Sequence, residues 1–169
     1  DDDVKLVVAH SEAGCGKTIV SIAAALHQVR VEKRYQKLII AKAILPVGGI
    51  DRLGFLPGSF KEKIGHWLTN FSDNMSLLSQ EELMEAKDVE VAAVMHMRGR
   101  SLHNAIIIID EAQNLSMLEA KTLLNRIGYE SKVIVLGDIS QIDSPYLSAR
   151  SNGLTHIANK FKDHSIAAT

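Results

Sequence analysis

The chain has 169 residues, a formal net charge of −1 and a single cysteine. That length suits one domain over residues 1–169, with a core burying about two-thirds of the unfolded chain's surface. The charge argues against a generally basic nucleic-acid binder while leaving room for a local basic groove. One cysteine excludes an internal disulfide framework, so a reducing, cytoplasmic compartment is expected. No apolar stretch approaches the ~20 residues of a membrane span, and no signal peptide precedes Val4. The chain opens on Asp1-Asp2-Asp3 rather than Met, which suggests a domain excised from a longer protein. Few aromatics and abundant Ile, Leu, Val and Ala suit a parallel α/β domain.

The first predicted strand is Val4–Ala9. It runs into Ser11-Glu12-Ala13-Gly14-Cys15-Gly16-Lys17-Thr18, after which an apolar helical pattern continues to Val31. Strand, glycine turn and helix N-terminus in that order form a phosphate-binding P-loop. Gly14 and Gly16 let backbone N–H groups crowd around phosphate oxygens, and the helix dipole adds positive potential there. Lys17 is placed to reach the β- and γ-phosphates, and the Thr18 hydroxyl to bind Mg²⁺. The expected nucleotide-binding set is Ser11, Glu12, Ala13, Gly14, Cys15, Gly16, Lys17, Thr18 and Ile19. Ser11 stands where the usual pattern has its first glycine. Cys15 is either a small residue at a variable loop position or a redox-sensitive thiol.

Lys37–Ala41 is the second predicted strand, preceded by the basic cluster Arg30, Lys33, Arg34 and Lys37. A solvated helix end accounts for that cluster, because cations favour a helix C-terminus. An RNA-facing groove is the alternative, although no aromatic platform for stacking is interleaved with the charges. Leu45 to Gly58 is rich in Gly and Pro and reads as a loop, with Phe55 and Leu56 either tucked inward or offered to a partner. Capping boxes at Ser59/Glu62 and Ser79/Glu82 open two helices, the first carrying Trp67 on its apolar face. Val89–Val94 is the third strand.

Ala105–Ile109 is the fourth, a run of isoleucines expected at the buried centre of a sheet. It delivers Asp110 and Glu111 at its end, where a P-loop NTPase places a Mg²⁺-holding Asp and an acid that activates water. Ser116/Glu119 caps a helix predicted to run to about Ile127 and to end at Gly128. The fifth strand, Val133–Leu136, leads into Gly137-Asp138-Ile139-Ser140-Gln141. Gln141 is placed to contact a γ-phosphate or orient the hydrolytic water, with Asp138 as its support or as a capping residue. A last helix over Ser148–Lys162 and a short strand at Ser165–Ala168 complete an α/β fold, mainly parallel, with helices on both faces of the sheet.

The P-loop, Asp110-Glu111-Ala112-Gln113 and Gly137-Asp138 with Gln141, in this order, resemble the first RecA-like core of superfamily 1 helicases. More closely, the chain resembles the PhoH-like ATPases over nearly its whole length. The pieces that carry the likeness include Leu45-Pro46-Val47-Gly48, Gly54 to Gly58, Met97 to Ser101, Asn125 to Gly128 and Ser151-Asn152-Gly153-Leu154. Leu-Pro-Val-Gly and Ser-Asn-Gly-Leu are similar to the branch in which this ATPase follows an N-terminal PIN nuclease domain. The resemblance implies a RecA-like P-loop fold, ATP or GTP hydrolysis with Mg²⁺, a hexameric ring of identical chains, and association with RNA or its unwinding. Lys42-Ala43 stands where the family usually has Arg-Pro.

A single RecA-like core leaves the γ-phosphate open on one side, so an arginine finger has to come from a neighbouring copy. Arg98, Arg100 and Arg126 are the candidates, each with a surface salt bridge as its alternative. Two other readings of the whole stay open: a nucleoside kinase-like phosphotransferase, and a degenerate nucleotide-binding or RNA-tethering module without turnover.

Overall fold

The computed structural model describes residues 3–43, 87–97 and 99–168. The loop expected at Leu45–Gly58, the helices opened by Ser59 and Ser79, Trp67 and Arg98 lie outside the described residues.

Among the described residues, six strands make one sheet: β1 Leu6–His10, β2 Lys37–Lys42, β3 Val89–Ala93, β4 Ala105–Asp110, β5 Lys132–Gly137 and β6 Ala167–Ala168. Their order is β3-β2-β4-β5-β1-β6, and every pairing is parallel. Three α-helices accompany it: α1 Lys17–Leu26, α2 Met117–Leu124 and α3 Gly153–Lys160. Ile106 to Ile109 are fully buried, as β-branched residues of a central strand covered on both faces must be. Ile107 and Ile109 pack in one core with Leu123 of α2 and Leu154 and Ile157 of α3. Strand alternation turns Ile106 and Ile108 to the opposite face, which α1 covers by packing on β4 and β5. This is the expected α/β architecture of a RecA-like P-loop fold, helices on both faces included.

Element ends depart from the sequence pattern where side chains intervene. The helix expected over Lys17–Val31 is α-helical only to Leu26 and widens into a π-helical turn at His27–Val31. There Glu32 N–H reaches back to His27 O at 3.0 Å. The capping box of α2 is present: Ser116 Oγ accepts from Glu119 N–H at 3.2 Å, and the Glu119 carboxylate accepts from Ser116 N–H at 3.0 Å.

That helix stops at Leu124, short of Ile127, and Gly128 is not its left-handed cap. Gly128 instead donates to Leu102 O at 2.7 Å, and a β-carbon on it would overlap the His103 ring. The last helix begins at Gly153 rather than Ser148. Asn152 caps it, its Oδ1 accepting from Thr155 N–H at 2.9 Å. The Asn152 amide also donates to Ser148 O at 2.8 Å and Ala149 O at 3.2 Å, folding those residues into a turn.

Candidate functional site at the carboxyl edge of the sheet

Because all strands are parallel, their carboxyl ends share one edge, where open α/β sheets bind ligands. β5 lies between β1 and β4, so three strand ends stand side by side. They carry the P-loop, Asp138 and the Asp110-Glu111 pair.

Gly14 and Gly16 sit at φ 80° and 83°, a left-handed backbone that glycine adopts at no steric cost. Ser11 is not among the left-handed residues, so the first loop position does not call for glycine in this chain. Gly16 precedes the first turn of α1, which holds Lys17, Thr18 and Ile19, all half-buried. Lys17 Nζ donates to Ser11 O at 2.7 Å and Glu12 O at 2.8 Å, curling the loop around its ammonium. Cys15 is exposed, with its Sγ 2.7 Å from Ser11 Oγ. The Ser11 hydroxyl, then the Lys17 N–H, hold that thiol below its ordinary value.

Asp138, at the end of β5, fastens the loop from behind. Its Oδ2 accepts from Ala13 N–H at 2.9 Å, and its Oδ1 from Ser140 N–H at 2.9 Å and Ser140 Oγ at 2.6 Å. The Ser140 hydroxyl and N–H, with smaller help from Ala13 N–H and Lys17, hold its carboxyl below the usual range. Of the two roles open for Asp138, support for Gln141 or capping, its side chain makes the capping bonds to Ser140, and it also anchors the P-loop, which the sequence did not suggest.

Asp110 is only 8% exposed, and its Oδ1 accepts from Glu111 N–H at 3.1 Å. Burial, then the neighbouring Glu111 carboxylate, push its carboxyl up, while Lys42 and Lys17 pull in the other direction. A buried carboxylate with one hydrogen bond and a like charge beside it fits a hard cation such as Mg²⁺. Among the described residues no cluster of three or more His, Cys, Asp or Glu could hold a metal. Asp110 and Thr18 are the residues that would hold magnesium, an ion that commonly keeps phosphate and water among its ligands.

Glu111 takes a left-handed backbone, φ 57°. Its Oε1 lies 3.9 Å from Lys42 Nζ, and its Oε2 accepts from Gln113 Nε2 at 2.6 Å. Lys42 thus keeps a cation beside the acid. Gln113 also donates to the Gln141 carbonyl at 3.0 Å and accepts from Asp138 N–H at 3.1 Å. Asn114 and Asp143 are joined by two further bonds, at 3.1 and 2.9 Å. The Gln141 side chain is exposed at this edge, while its backbone is held at both the N–H and the carbonyl. Gln113 was not singled out from the sequence, although it belongs to the Asp-Glu-Ala-Gln motif. Its partners become visible only once β5 is placed beside β4.

The two described candidate arginines, Arg100 and Arg126, make their contacts elsewhere. Arg100 forms a two-pronged ion pair with Glu90 of β3, with Nη2 2.9 Å from Oε2. That pair holds the Glu90 carboxyl below its ordinary value and raises Arg100 above its own. Arg126 lines a groove with Val94, Met97 and Leu123. Neither is hydrogen-bonded to the P-loop or to Asp110 and Glu111. In the basic cluster, Arg30 grips Asp88 at 2.8 and 3.0 Å, Arg34 lies 3.3 Å from Glu32, and Lys37 lies 3.9 Å from Glu90. These ion pairs favour the helix-end reading over a groove of available cations.

A sequence model of the family described as PhoH-like protein matches residues 2–169. The chain belongs to the PhoH-like family. This PhoH-like chain is 39% identical over 176 residues to Protein PhoH2 of Bacillus subtilis (strain 168), covering 99% of the chain and 39% of that protein. It is 34% identical over 172 residues to Protein PhoH2 of Mycolicibacterium smegmatis, with 99% and 39% covered. The PhoH-like protein of Mycobacterium tuberculosis (strain H37Rv) is 41% identical over 137 residues, 79% of the chain and 38% of that protein. The chain thus spans about two-fifths of the length of these relatives. The PhoH-like family is a P-loop NTPase family, and its nucleotide-binding fold is the one described above. Among the described residues, no helix is long and apolar enough to cross a membrane.

Proposed function

We propose that this PhoH-like chain hydrolyses a nucleoside triphosphate, ATP or GTP, with Mg²⁺. The observation that carries this reading is the unbroken hydrogen-bonded run Ala13–Asp138–Gln113–Glu111. It ties the glycine loop after β1 to the Glu111 carboxylate just after β4. Lys17 and the loop N–H groups would bind the β- and γ-phosphates. Thr18 and Asp110 would hold Mg²⁺, which when bound neutralises charge building on the phosphate oxygens. Glu111, its two oxygens facing Gln113 and Lys42, takes the proton from the attacking water. Gln141, exposed at the same edge, would contact the γ-phosphate.

The reading extends to a second copy of the chain. A finger from a neighbour in a hexameric ring completes the γ-phosphate side. Of the two described candidates Arg126 is favoured, since Arg100 is committed to Glu90, and Arg98 stays a candidate beside it. Association with RNA, and its unwinding, follow from the family likeness and belong to the same proposal.

The test is phosphate release with Mg²⁺ or with EDTA, with and without single-stranded RNA, beside a measurement of oligomer mass. The parent is expected to release phosphate only with Mg²⁺, faster as rings form. Glu111→Gln should bind nucleotide and turn over about 10²–10⁴-fold more slowly. A parental rate in Glu111→Gln would remove Glu111 as the base. Absence of Mg²⁺-dependent release would overturn hydrolysis, and γ-phosphate transfer to a nucleoside would replace it with kinase chemistry.

A further inference from the structure

Gln113 is fully buried, yet every polar atom of its side chain is engaged. Its Nε2 uses one hydrogen on Glu111 Oε2 at 2.6 Å and the other on the Gln141 carbonyl at 3.0 Å. Its Oε1 accepts from Asp138 N–H at 3.1 Å. The partners fix which end of the amide is which, because a backbone N–H only donates and a backbone carbonyl only accepts. The packing is equally specific. A β-carbon on Gly137 would fall 2.5 Å from Gln113 Oε1, so the amide lies directly over the last residue of β5.

Resting on the hydrolytic reading above, we infer that Gln113 is the positioning residue of the reaction. It holds the Glu111 carboxylate at a fixed place relative to the P-loop and to the turn after β5. Among the described residues, the other partner of the Glu111 carboxylate is Lys42 Nζ, at 3.9 Å. A side chain with three rotatable bonds and one partner at that distance does not keep a single orientation. With Gln113 in place, the acid is tied to Asp138 N–H, and the Asp138 carboxylate is tied to Ala13 N–H. The Gln141 carbonyl is tied in as well, and Asn114 grips Asp143 further along the same segment. The base, the phosphate loop and the residues that would face the γ-phosphate are thereby held as one unit. A general base displaced by about 1 Å loses about 10²-fold in rate.

Two substitutions separate positioning from mere packing. Gln113→Met keeps the length of the side chain and removes its hydrogen bonds. Gln113→Glu keeps the size and the acceptor for Asp138 N–H. Its second oxygen then faces Glu111 Oε2 and the Gln141 carbonyl, and can donate to one of them only when protonated. The charged groups around this point are Lys42 from β2, Asp110 from β4, Glu111 just after β4, Asp138 just after β5 and Lys17 from α1. Falling pH restores a donor in Gln113→Glu.

The experiment measures kcat against pH, affinity for a fluorescent triphosphate analogue with Mg²⁺, and melting temperature, for the parent and both variants. Gln113→Met should lose about 10²-fold in kcat at every pH with triphosphate affinity unchanged. The Gln113→Glu deficit should match it at neutral pH and shrink toward acid. Parental kcat in both variants would overturn the inference alone. So would a pH-independent Gln113→Glu deficit, or losses of kcat and affinity that move together. A parent without Mg²⁺-dependent phosphate release would instead overturn the hydrolytic reading, and the inference with it.

Discussion

Asp138 Oδ2 accepts a hydrogen bond from Ala13 N–H at 2.9 Å, joining residues 125 positions apart. A loop of small residues and glycines has little side-chain packing of its own. Its conformation therefore depends on an acceptor from the neighbouring strand end, and on the charge of that acceptor.

Asp138→Ala should loosen the P-loop, weakening triphosphate affinity and lowering stability together. The folded carboxyl lies below its ordinary value, so its contribution to stability is fully present above the unfolded value of about 3.9. That contribution is lost as pH falls through the lowered folded value. Urea midpoints across acid pH should show parent and variant converging below pH ~4. A gap constant with pH would refute the role of the charge.

Asp110 titrates with the opposite sign. Burial and Glu111 raise its folded value, so the folded state loses stability as pH rises from the unfolded value through the raised one. Asp110→Asn should therefore melt higher than the parent at neutral pH without Mg²⁺, by about 2–4 °C for each kcal/mol relieved. It should also lose Mg²⁺-dependent nucleotide binding. Thermal scans with and without Mg²⁺ check both, and a variant melting below the parent without metal would contradict the account.

Restoring the usual glycine at the first P-loop position should bring no gain. Ser11 needs no left-handed backbone. Ser11→Gly therefore adds freedom to the unfolded chain and is expected to lose about 0.4–1 kcal/mol of stability. Triphosphate titration should give parental affinity. Markedly tighter binding by the variant would mean that Ser11 obstructs the loop.

Gly153 begins α3 against Leu115 and Ala120, where a β-carbon would lie 2.7 Å from Leu115 Cβ and 3.1 Å from Ala120 Cβ. Gly153→Ala should cost about 1–3 kcal/mol by overpacking. Calorimetry should register this as a lower melting temperature. Nucleotide affinity at low temperature should be unchanged, because the contact lies between α3 and the α2 region rather than at the loop.

What could be read from the sequence was local. The P-loop lies between an apolar strand and a helix, and Ile106 to Ile109 announce a central strand ending in two acids. The Ser116/Glu119 box marks its helix start to the residue. What escaped depends on contacts made across the chain. The helix expected from Ser148 starts at Gly153 because the Asn152 side chain bends Ser148 and Ala149 into a turn. Arg100 resembles an available finger until β3 sets Glu90 beside it. Gln113 gains its importance from strand order, since only β5 lying between β1 and β4 brings Asp138 and Gln141 onto it. Hydrophobic periodicity carries no record of which strands are neighbours.

The left-handed backbone of Glu111 sets chemistry against stability at one position. A residue with a β-carbon at φ 57° bears about 1–2 kcal/mol of strain that glycine would not feel. The replacement that best relaxes the chain is thus the one that removes the carboxylate. A search for thermostable variants that scores melting temperature alone would be drawn to glycine at 111. It would return a sturdier protein without the carboxylate proposed as the base, so any such search on this chain needs phosphate release scored beside stability.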